Sequence, residues 1–128
     1  MKLKVILLVA AVYMALIGIG HLFAPVAMSA GVIPADASAG VAAFLRHYSA
    51  IFLAIAVMNW MARNAEPSPA RNAIVAANII LFALAAILDV AAVLSGAGPA
   101  GLVPASMNLV IAALFVWAVR ASTPAHVS

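Results

Sequence analysis

The chain has 128 residues, 69% of them hydrophobic and 7% charged, with a formal net charge of +3. So few charges cannot cover the surface of a soluble domain of this length, which excludes that class and points to an integral membrane protein. Cysteine is absent, which excludes disulfides, thiol nucleophiles and thiolate-bound metals, and the basic residues do not interleave with stacking aromatics, which argues against nucleic acid as a partner.

The first apolar segment, about Val5 to Phe23, follows Lys2 and Lys4. A basic start, an apolar run and the small residues of "APVAMSA" also describe a signal peptide. The apolar run reads through to His21, too long for a secretory h-region, so the segment is expected to stay as a membrane span. The stretch Phe23 to Gly40 is poor in polar groups and is read as a re-entrant or interfacial connection. A second span is expected over about Val41 to Ala62, a third over about Ala73 to Ser95 and a fourth over about Leu102 to Val119.

None of the segments alternates with period two, each is too long for a barrel strand, and every proline falls at or outside a segment end. The expected fold is therefore all-α: a single four-transmembrane-helix bundle over residues 1–121, followed by a disordered tail, 122–128, that carries His126.

Lys2 and Lys4 precede span 1, Arg63 and Arg71 lie between spans 2 and 3, and Arg120 follows span 4. With four spans these positions share one side, which the positive-inside rule makes cytoplasmic. Trp60 and Trp117 fall near the same interface, where amphipathic rings settle. Both termini are thus expected in the cytoplasm of a cell whose inner (plasma) membrane the protein crosses.

Asp89 interrupts the apolar run "ALAAILDVAAVL". An acid at a helix centre costs roughly 2.5–3.5 kcal/mol on insertion scales, and less near an end. Asp89 lies roughly 9 Å inside the outer end of span 3, at about 1.5 Å per residue. His21 in span 1, Arg46 and His47 in span 2 and Asn108 in span 4 come at comparable depth. Lipid satisfies none of them, so the five are expected to face one another inside the bundle, with Asp89 paired to Arg46.

Such a layer serves either as a structural network that fixes helix register or as a site for the polar head of a lipophilic molecule, such as a quinone or lipid, or for proton relay through the imidazoles. A metal centre of His21, His47 and Asp89 lacks close His spacing, and none is expected. Asn59 and Asn78 form a second polar level towards the cytoplasmic end, read as a structural pair. "GAGPAG", Gly96 to Gly101, has the letters of a dinucleotide fingerprint but links two membrane spans and contains Pro99, so it is read as a tight loop.

"GIGHLFAP", then a short outer loop, then "FLRHYSAIFLAIAVMNWMAR" and two further spans, resembles small four-helix bacterial membrane proteins of the DoxX-like kind and neighbouring uncharacterised families. The resemblance covers most of the chain and rests on the Gly-rich end of span 1 with Pro25 and on Arg46 opening span 2. It implies a role beside quinone-linked oxidoreductase complexes, with which some of those proteins are associated, and it carries over Arg46 alone, with no catalytic set.

The function expected from these readings is that of a non-catalytic or accessory membrane component that binds a lipophilic molecule or a membrane partner through the Asp89 layer. The alternative is a small homo-oligomeric transporter or channel coupled to protons.

Overall fold

Ser38 and Ser68 set where two of the four long helices begin. The Ser38 hydroxyl accepts from the Val41 N–H at 3.3 Å, and the Ser68 hydroxyl from the Arg71 N–H at 3.2 Å, with Pro69 in the first helical position where its missing N–H is harmless. In the computed structural model, which describes residues 2–121, the helices are α1 (Lys2–Phe23), α2 (Pro25–Met28), α3 (Ala39–Ala62), α4 (Pro69–Leu94) and α5 (Leu102–Arg120). A 3-10 turn, Pro99–Gly101, leads into α5. The expected tail, 122–128, lies outside the described residues.

The four expected spans correspond to α1, α3, α4 and α5, each long enough and apolar enough to cross a membrane. That is the make-up of a multi-pass membrane protein with an all-α four-helix fold. Two helices start earlier than the apolar pattern suggests, because the serine caps and Pro69 carry the helical backbone into more polar sequence. The connection after α1 contains the single turn α2 and an isolated bridge between Ala30 and Ile33. Gly96 ends α4 with φ of +99°, a left-handed conformation that a side chain would strain, so "GAGPAG" is a helix stop and a turn.

α1 packs along α3 and α4 along α5 over most of their lengths; α1 also meets α5, and α3 meets α4 over a shorter stretch. Short connections make α4 antiparallel to α3 and α5 antiparallel to α4, and the contacts of Gly18 with Leu53 and of His21 with Phe52 run α1 and α3 in opposite senses. The result is a ring in the order α1, α3, α4, α5, with α1 opposite α4 and α3 opposite α5. Across the middle, the rings of Phe82 and Phe115 stack at 6.2 Å, and Tyr13 tilts against Phe82 at 6.1 Å.

The faces that meet are built for close approach. Ala10, Ala11, Met14 and Gly18 are buried on α1, and Ala105, Ala112 and Ala118 on α5. At Gly18 an added Cβ would lie 2.8 Å from Leu53 Cγ and 3.2 Å from the Leu53 backbone nitrogen, so the missing side chain is what lets α1 and α3 come together there. The outward faces carry Leu16, Met61, Ile80 and Val103, each more than 60% exposed. Such a surface is at home in acyl chains, because lipid is as apolar as these side chains.

Candidate functional site

Asp89 sits on the half of α4 remote from the basic end of the bundle, half-buried, two turns beyond the fully buried Phe82. Its partner is Asn108 on α5, whose Nδ2 donates to Asp89 Oδ2 at 3.1 Å. Asn108 is buried, and its Oδ1 in turn accepts from the Tyr13 hydroxyl of α1 at 3.3 Å. Three helices thus contribute one link each to a chain, Tyr13 to Asn108 to Asp89. Each bond leaves its donor or acceptor better off than in lipid, where none would be offered. The second Asp89 oxygen makes no hydrogen bond among the described residues. Close by, the start of α5 presses on α4: a Cβ at Gly101 would stand 3.6 Å from the Asp89 carbonyl oxygen and 2.9 Å from Val93 Cγ2. That close approach brings Asn108 within reach of the carboxylate.

The rest of the expected layer does not join this chain. Among the described residues no ion pair links Asp89 to Arg46, which corrects the pairing expected from depth alone. Arg46 and His47 are exposed on the outward part of α3. His47 Nδ1 bonds the carbonyl of Ala43 in its own helix at 3.2 Å. His21 is half-buried against the Phe52 ring at 5.3 Å, with Nδ1 3.0 Å from the Ile17 carbonyl oxygen. The physical reason is angular. Arg46 and His47 match Asp89 in depth by residue count, but α3 packs mainly on α1 and meets α4 only over a short stretch, and both side chains are exposed. Among the described residues no three of His, Cys, Asp and Glu come together in a way that could hold a metal ion.

Tyr13 was missed from the sequence because its ring counts as apolar. One signal was present: between Lys4 and His21 it is the only side chain with an O–H or N–H group.

The second polar level is the better buried. Asn59 and Asn78 are both inaccessible, and each donates to the other, at 2.9 and 2.7 Å. Asn78 Nδ2 also reaches the Ile74 carbonyl at 2.8 Å. This pair bridges α3 and α4, the neighbouring long helices that meet over the shortest stretch.

The end of the bundle beyond that pair is basic. Lys2 Nζ lies over the Trp117 ring at 4.4 Å, and the Arg63 guanidinium over Trp60 at 3.4 Å, with Arg63 also donating to the Trp60 carbonyl. Lys4, Arg71 and Arg120 belong to the same end.

Comparison of the chain with family models, with curated proteins and with solved structures found no match.

Proposed function

We propose that this chain is an accessory, non-catalytic component of a bacterial inner membrane that binds the polar head of a lipophilic molecule, a quinone or a lipid, at Asp89. Support comes from one arrangement: a half-buried carboxylate inside a membrane span, oriented through one oxygen by Asn108 and carrying no basic partner among the described residues. A purely structural acid would be expected to spend both oxygens inside the bundle, since each unmet acceptor in lipid costs free energy. Here the free oxygen is presented to a hydroxyl, amide or ammonium from outside the chain. Tyr13 and Asn108 act as positioning residues. The basic end with its two Trp–cation pairs supports a cytoplasmic placement of both termini.

The test compares purified wild type with Asp89→Asn for co-purified quinone and lipid by native mass spectrometry. Asn preserves an acceptor for Asn108, so folding is retained, and the expected result is loss of a specific adduct. An identical adduct profile in a folded Asp89→Asn protein would end the proposal.

A second reading, a homo-oligomeric proton-coupled transporter or channel, draws on the exposure of Arg46 and His47 at membrane depth. A neighbouring copy would shield them from lipid. Under that reading the same mass spectra show oligomers, and proton flux into liposomes is lost in Asp89→Asn.

A further inference from the structure

The basic end holds a feature that the Asp89 site does not explain. Between α3 and the beginning of α4 runs an open groove of about 780 Å³, lined almost wholly by apolar atoms. Leu53, Val57, Met58 and Met61 form one wall and Ile74 the other, so the groove follows α3 for about 12 Å, at about 1.5 Å per residue, towards the middle of the bundle. At its mouth stands Arg71, which also lines a second hollow of about 900 Å³ on the other side, between α4, the start of α1 and the end of α5. That hollow is more polar, and Lys2 and Asn72 line it with Arg71. Arg71 Nε is buried and has no hydrogen-bond partner among the described residues. The only acid in the adjoining loop, Glu66, is exposed and forms no ion pair among the described residues.

We propose that Arg71, with Lys2 and Asn72, binds the phosphate of an anionic phospholipid whose acyl chain lies in the groove between α3 and α4. The two hollows have complementary demands. One offers almost wholly apolar walls. The other offers two cations and an amide, and a buried guanidinium N–H without an acceptor is costly unless an anion meets it. Arg71 belongs to both, so one ligand must be apolar on one side of it and anionic on the other. Basic hollows between membrane helices on the cytoplasmic side bind anionic headgroups in this way. A soluble phosphate would use the polar hollow and leave the groove unfilled, so a phospholipid is the occupant that fits both.

The experiment is native mass spectrometry of the full chain in detergent. Phosphatidylglycerol and phosphatidylcholine of identical acyl chains are supplied together, with inorganic phosphate in a separate arm. Wild type is expected to retain phosphatidylglycerol in preference to phosphatidylcholine. Arg71→Gln is expected to reduce that preference about five-fold, the worth of one basic side chain near an anionic surface. Arg71→Lys, which keeps the charge, retains most of the preference and guards against a folding defect in the glutamine variant. Ala54→Phe, which fills the groove, lowers retention of both lipids. Equal retention of the two lipids by wild type, or an unaltered preference in folded Arg71→Gln, overturns the proposal. So does stabilisation by inorganic phosphate equal to that by phosphatidylglycerol.

Discussion

Asn59 and Asn78 exchange hydrogen bonds in both directions across the α3–α4 contact, at 2.9 and 2.7 Å, with both side chains inaccessible. Removing one partner strands the other. Asn59→Leu leaves the Asn78 carbonyl oxygen without a donor, although Asn78 Nδ2 keeps its bond to Ile74. The expected cost is about 1 kcal/mol, near the upper part of the range for such bonds inside membranes. The double variant Asn59→Leu/Asn78→Leu is expected to be more stable than the sum of the single variants predicts, because no buried amide is then left unmet. Unfolding in mixed micelles, run as a double-mutant cycle, measures this coupling.

Gly18 faces Leu53 with no room for a side chain. Gly18→Ala is expected to push α1 from α3 and to cost about 1–3 kcal/mol, the usual range for overpacking. Leu53→Ala added to it restores part of the loss, because the nearest clash is with the end of that side chain, while the contact with the Leu53 backbone nitrogen persists. A Gly18→Ala protein as stable as wild type in the same micelle assay contradicts the close contact of α1 and α3.

Within the polar chain the links are unequal. Tyr13→Phe deletes one hydroxyl and leaves the Asn108–Asp89 bond in place. The expected loss is small, about 0.6 kcal/mol. Asn108→Leu deprives both Tyr13 and the Asp89 carboxylate of their partner and is expected to cost about 1–3 kcal/mol. The order of the two unfolding midpoints checks the assignment of Asn108 as the central link.

The chain contains no cysteine, so single cysteines report topology against a silent background. Ala35→Cys lies in the connection before α3 and Ala65→Cys in the connection before α4, both exposed. With the basic end in the cytoplasm, a membrane-impermeant maleimide applied to spheroplasts labels the first, and labels the second only after lysis. The reverse pattern rejects the orientation.

Much of the fold was readable because lipid imposes severe conditions on sequence. Four apolar runs with prolines at their ends admit few structures besides four helices, and the Trp and basic residues mark one end without any knowledge of packing. Asn59 and Asn78 were legible as a pair because they stand near opposite ends of a short connection, where two antiparallel helices must be neighbours. The Asp89 level was harder. Position along a helix follows from counting residues, but the direction of a side chain around it depends on which neighbour the helix leans on. Arg46 matched Asp89 in height and pointed elsewhere, whereas Tyr13, buried in an apolar run, turned out to share its network. The early starts of α3 and α4 were missed for a local reason, since Ser38 and Ser68 act through backbone amides that hydropathy does not register.

The uneven packing around the ring divides the molecule into two antiparallel hairpin-like halves, α1 with α3 and α4 with α5, joined on one side chiefly by a pair of carboxamides. Such a body has a built-in line of cleavage. If each half zips up on leaving the insertion machinery, the two then close at two polar meeting points, the Asn59–Asn78 clasp between α3 and α4 and the Tyr13–Asn108 bond between α1 and α5.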